Sequence, residues 1–161
     1  PSGWGLGAPS RVMIPELEQR WKNVTSVELS DRSSRSEIEL VRETASQYDA
    51  IVAGVFVRTA SFSGRMDLVS DLVMLLKQLS EQAVKNAQPL VVVFFGSPYA
   101  ATFLPELPAV LLTYDYRGLT EETAVRALAG EIPIGGRLPV ALGAKFRVGH
   151  GLTRSAKTVT Q

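Results

Sequence analysis

The 161-residue chain is 45% hydrophobic and 20% charged, enough apolar material for one compact domain with a core and too little length for a second. Seventeen Lys and Arg stand against sixteen Asp and Glu, a formal charge of +1 with the two signs read as interspersed, so no basic tract points to nucleic acid. With no cysteine and a single histidine, a disulfide framework, a thiolate metal site and a multi-histidine zinc cluster are excluded, and neither metal nor cofactor is expected.

The opening PSGWGLGAPS has no methionine and no apolar period, and reads as the start of an excised piece of a longer protein. Trp4 and Trp21 read as packing residues. From Val12 through Leu17 to Trp21 the spacing suits a short helix, with Pro15 tolerated in its first turn. Val24, Val27 and Leu29 in NVTSVELS suggest a short strand. Ser34 followed by Glu37 forms a capping box for a second helix, with Ile38, Val41, Ala45 and Tyr48 as its buried stripe. AIVAGVFV, residues 50 to 57, is apolar on both faces and reads as a central parallel strand.

The polar loop RTASFSGR leads into the longest helix, marked by Leu68, Leu72, Leu75 and Leu79 and ending near Asn86. Pro89 launches LVVVFF, which is far too short to span a bilayer, and no basic segment leads an apolar stretch. The chain therefore reads as soluble, without a membrane partner; export of a full-length protein stays open. AVLLTY is a further strand, and a helix from about Thr120 ends at Gly130. Strands alternating with helices predict an α/β fold: a three-layer α/β/α sandwich on a mostly parallel, doubly wound, flavodoxin-like sheet. EIPIGGRLPVALGAKFRVGHGL is expected to be extended and irregular, with Arg137 free to pair with a carboxylate, and TRSAKTVTQ to be a polar tail or linker.

Three chemistries can be tested on motif alone. Ser97 lacks the flanking glycines of a nucleophile elbow, its neighbours being Phe95, Gly96, Pro98 and Tyr99. No GxxxxGK[ST] or GxGxxG turn follows a strand, so a nucleotide cradle is not indicated, and flavin binding has no recognisable phosphate loop. His150, between two glycines, reads as a turn histidine packed against or bonded to neighbouring backbone. Asp115 stands where ligand crevices form in such sheets, and equally where a carboxylate caps a helix or turn.

The run VVVFFGSPYAATFLPELPAVLLTYDYRGLTEETAVRALAGEIPIGGRLPVAL, followed by FRVGHGL, resembles the second, C-terminal α/β domain of glycoside hydrolase family 3. The resemblance runs from about Asp49 to Leu152 and is most specific in GEIPIGGRLPV, FGSPY and GHGL; before Asp49 it is looser, as if the domain were truncated at its N-terminus. It implies a domain over residues 1 to 152, a tail over 153 to 161, and a missing N-terminal catalytic barrel carrying the aspartate nucleophile. In the β-glucosidase branch the acid/base glutamate follows the strand matching AIVAGVFV. Here that loop, residues 58 to 65, holds no Asp or Glu. The pattern is instead similar to the β-N-acetylhexosaminidase branch, where a histidine and aspartate pair on a barrel loop moves the proton.

On that reading the chain contributes no catalytic residue and is inactive alone, while Arg58, Thr59, Ser61, Ser97, Tyr99 and Asp115 face the substrate or the domain interface. Its partners are the barrel and, in the intact enzyme, a carbohydrate; a domain cut from its barrel is also expected to form a weak homodimer through an exposed apolar patch. A stand-alone flavodoxin-like ligand-binding or interaction module is the competing reading.

Overall fold

A computed structural model describes residues 10 to 57 and 69 to 157. Helix α1 (Met13–Arg20) carries Pro15 within its first turn, where the missing N–H breaks no helical bond. Asn23 follows at φ 60, and residues 24 to 30 then run without strand pairing. This corrects the strand expected from Val24, Val27 and Leu29. Val27 is 60% exposed, so the apolar residues do not alternate inward with the period of two that would anchor a strand on a sheet.

Helix α2 (Arg35–Thr44) begins at the expected capping box: the Glu37 N–H donates to Ser34 Oγ at 3.2 Å and the Ser34 N–H to Glu37 Oε2 at 2.6 Å. Ile38 and Val41 pack inward, and a 3-10 turn at Ala45–Gln47 buries Ala45. Tyr48 does not join the stripe. The α-helix ends four residues earlier, which breaks the 3.6-residue period and leaves Tyr48 39% exposed.

Strands β1 (Ile51–Val57), β2 (Leu90–Gly96) and β3 (Val110–Leu112) form a parallel sheet in the order β1-β2-β3. Val55 lies opposite Phe94, which lies opposite Leu112. Among the described residues β1 is thus an edge strand, not the central one expected. Its alternate residues Val52 and Gly54 are exposed, whereas Val92 to Phe95 of β2 are wholly buried.

The period of two splits β2 between two cores. Val92 and Phe94 face the layer built by α2, by α3 (Ser70–Lys85, through Leu75, Leu76 and Leu79) and by the 3-10 segment Pro98–Phe103. Val93 and Phe95 face α1 and α4 (Gly118–Ala129), with Met13, Ala124 and Val125 against them. Phe95 stacks on Phe56 with ring centroids 4.5 Å apart. Helices therefore cover both faces of a parallel sheet, the layered α/β fold that the alternation of strands and helices predicts. Helix α4 starts two residues before the expected Thr120 and ends, as expected, at Gly130, which takes the left-handed conformation at φ 77.

Beyond Gly130 the chain is irregular and folds back on itself. Ile134 and Arg154 exchange antiparallel backbone bonds of 2.8 Å, and the Lys157 N–H reaches the Gly130 carbonyl at 2.7 Å, so residues 153 to 157 are held against the body. Among the described residues no helix is long and apolar enough to cross a membrane.

Candidate functional site

The C-terminal ends of the three strands meet at one edge, the position where parallel sheets form crevices. Val57 closes β1 opposite Gly96, which closes β2. Past β3 the chain stays beside β2: the Thr113 N–H donates to the Phe94 carbonyl at 3.1 Å and the Gly96 N–H to the Asp115 carbonyl at 3.1 Å. The Thr113 hydroxyl clasps the same corner, donating toward Phe94 O and Asp115 O at 3.1 and 2.8 Å.

Gly96 makes this closure possible. Its φ of 94 suits glycine, and a Cβ there would collide with the Val57 carbonyl oxygen. Ser97 then opens the 3-10 segment at φ −69, with Pro98 at its first position. Tyr99 projects from that segment 46% exposed, while Ala100 and Ala101 beneath it are buried.

Asp115 is heavily engaged. Its Oδ1 accepts the Tyr116 N–H at 2.8 Å, and its Oδ2 accepts Arg117 Nε at 2.7 Å and the Thr120 hydroxyl at 3.2 Å. The Arg117 guanidinium, with lesser help from the Tyr116 N–H and the Thr120 hydroxyl, outweighs partial desolvation and holds the carboxyl below the usual range. Near neutrality the group is an anion tying the β3 corner to the first turn of α4, without a proton to give a leaving group. Among the described residues at the three strand ends, Asp115 is the one carboxylate.

Two tyrosines beside it were missed by sequence reading. Tyr114 adopts φ 61, a left-handed conformation costly for a bulky residue, and remains 44% exposed; partial burial pushes its phenol up. Tyr116 is 55% exposed, and its Cδ1 lies 3.5 Å from where a Cβ on Gly96 would stand. The signal available was the alternation Tyr-Asp-Tyr directly after a strand. The edge is therefore an aromatic, hydroxyl-bearing rim around a neutralised carboxylate.

Arg58, Thr59 and Ser61 lie outside the described residues, as does all of RTASFSGR; the next carboxylate in the sequence, Asp67, lies outside them too. His150 stands in a turn, as expected: its N–H donates to Arg147 O at 3.1 Å, its carbonyl accepts the Leu138 N–H at 2.9 Å, and its ring lies 5.0 Å from that of Phe146. Arg137 corrects the expectation of a carboxylate partner. Its guanidinium donates to Gly136 O at 3.0 Å and to the Thr153 hydroxyl at 2.8 Å, bracing the chain where two legs approach too closely for a side chain on Gly151. Among the described residues no group of three or more His, Cys, Asp or Glu could hold a metal ion.

Neither a family model nor a curated protein matches the chain. The fold has a solved counterpart. It is similar to a chain described as a fungal multi-domain GH3 β-N-acetylglucosaminidase in which a unique GCN5-related glucosamine N-acetyltransferase region exists. The TM-score is 0.60 at 22% identity, over 77% of the present chain and 13% of that much longer one. At that identity the likeness is one of fold.

Proposed function

We propose that the chain is a non-catalytic α/β domain of a family 3 β-glycosidase of the β-N-acetylhexosaminidase kind, in which the rim at the strand ends meets a separate catalytic barrel and helps shape its sugar site. The observation that carries this reading is the state of Asp115. Retaining glycoside hydrolysis needs a nucleophile and a proton donor that stays protonated until it acts, and two carboxyl groups normally fill these roles. Asp115 is anionic, paired with Arg117 and bonded to the helix that follows, so it holds no proton to give a leaving group.

The motifs GEIPIGGRLPV and FGSPY, the lack of any acidic residue from 58 to 65, and the fold shared with part of a GH3 enzyme all support the same assignment. Tyr99, Tyr114 and Tyr116 supply exposed rings with polar tips, the chemistry favoured where one surface meets another and a polar ligand lies between. Ser97, with Arg58, Thr59 and Ser61 of the preceding loop, belongs to the same rim on this reading.

The test is an assay of the 161-residue chain on aryl N-acetyl-β-glucosaminide and aryl β-glucoside, with Asp67→Asn and Asp115→Asn variants alongside. No turnover is expected from any of them. Turnover by the chain that either substitution abolishes would overturn the proposal. The coding frame upstream of Pro1 supplies an independent check: a barrel-length extension agrees with it, and a nearby start codon would favour a free-standing flavodoxin-like module.

A further inference from the structure

The charges are less interspersed than the net value of +1 suggests. From residue 132 onward the chain has five of its seventeen basic residues and none of its sixteen acidic ones, so the body before it is net negative. All five, Arg137, Lys145, Arg147, Arg154 and Lys157, lie in the described segment 132 to 157, which is one folded strap. Its two legs are laddered by the Ile134 and Arg154 exchange, by Leu138 N–H to His150 O at 2.9 Å and by Gly149 N–H to Leu138 O at 2.8 Å. Leu138 and Leu142 anchor its inner side, 8% and 3% exposed.

The exposed side chains of the strap are basic and aliphatic: Arg137, Arg147, Arg154 and Lys157 are exposed, as are Val148 and Leu152 at 66% and 70%. Elsewhere Arg20, Arg42, Arg117 and Arg126 each pair with a carboxylate. Among the described residues none of the five strap cations does. The ladder thus gathers on one folded piece cations that have no carboxylate partner among the described residues.

We propose that the strap over residues 132 to 157 is a docking surface for an acidic protein surface bearing apolar side chains. Charge complementarity selects the sign of the partner, because like charge facing these cations would be repelled and an acidic face would be drawn in. Val148 and Leu152 select its kind. A single-stranded nucleic acid would be gripped by cations together with exposed aromatic rings on which bases stack, and the exposed large apolar residues of the strap are both aliphatic. The strap is tied to Gly130 at the C-terminal end of α4, and α4 begins next to the rim at Asp115. The C-terminal leg of the strap is therefore fixed at the opposite end of α4 from Asp115, and the proposal does not rest on the glycosidase assignment.

The experiment titrates the intact chain into a fluorescein-labelled peptide of alternating Glu and Leu, with heparin and polyuridylate as separate probes, in low and high salt. Saturable binding of the peptide that weakens with salt is expected, reduced about tenfold by the double substitution Arg147→Glu and Arg154→Glu and about threefold by Leu152→Ser. Circular dichroism confirms that each variant, altered only at exposed positions, keeps its fold. Absence of peptide binding, or binding indifferent to all three substitutions, overturns the proposal. Heparin or polyuridylate bound as tightly as the peptide and unaffected by Leu152→Ser overturns it in favour of a polyanion. Salt-sensitive self-association lost in the double variant overturns it in favour of a second copy.

Discussion

The carboxylate of Glu121, on α4, accepts the backbone N–H of Met13 at 2.8 Å and that of Val12 at 3.1 Å, so one buried side chain caps a helix more than a hundred residues away. Glu121 is only 5% exposed. The first turn of a helix leaves its N–H groups without internal partners, and no side chain of α1 itself caps them. Glu121→Ala is expected to lower stability by about 2 kcal/mol, the scale of a charge-assisted bond whose buried donors are left unpaired, with Glu121→Gln losing less. Urea unfolding with an unchanged m-value would check it.

Gly96 supplies a second test, with a control in the same chain. Gly96→Ala places a Cβ against the Val57 carbonyl at a φ of 94 and is expected to cost about 2 kcal/mol or more. Gly135→Ala meets nothing within 4 Å and is expected to stay within about 0.5 kcal/mol of the parent. Equal thermal midpoints for the two variants would contradict the rim geometry.

The junction between α1 and the end of α4 should respond to acid. Arg20 donates to Glu131 through Nε at 2.5 Å and Nη2 at 3.0 Å, and also bonds Glu16. The hydrogen bonds from Arg20 are the main reason the Glu131 carboxyl is held below its ordinary value of 4.5. A depressed carboxyl contributes stability that is fully present above that ordinary value and is lost as pH falls through the lower folded one. Stability measured from pH 7 to 3 should therefore fall at the acid end, and Glu131→Gln should flatten that part of the profile. An unchanged profile in the variant would remove Glu131 from the account.

Ser34→Ala removes the acceptor at the head of α2 and is expected to cost about 1 kcal/mol. Because α2 packs on α3 through Ile38 and Val41, hydrogen exchange should rise first in α2. Uniform protection across both helices would show that the cap adds nothing to the packed state.

Local signals were read well where they are local in cause. The capping box at Ser34 and Glu37, the left-handed stop at Gly130 and the Leu75 to Leu79 stripe each depend on residues within a turn or two of one another. Readings that depended on neighbours across the fold went otherwise. AIVAGVFV has the composition of a central strand and stands at an edge among the described residues, because pairing depends on which segment lies beside it. NVTSVELS has β-rich residues but no described partner. At the rim, Asp115 was legible as either a ligand group or a cap, and the structure ties it to the side chains of Arg117 and Thr120, while Tyr114 and Tyr116 gave no signal beyond their alternation.

By itself the sequence determined the layered α/β class, the helices and strands that build it, and the absence of an acidic residue between positions 58 and 65, since apolar period and residue identity are properties of the chain alone. Only the tertiary structure decided that Glu121 reaches Met13, that Arg137 braces the strap through Thr153, and that the late cations have no carboxylate partner among the described residues. Those outcomes depend on distances between residues far apart in sequence, which packing sets and periodicity does not encode.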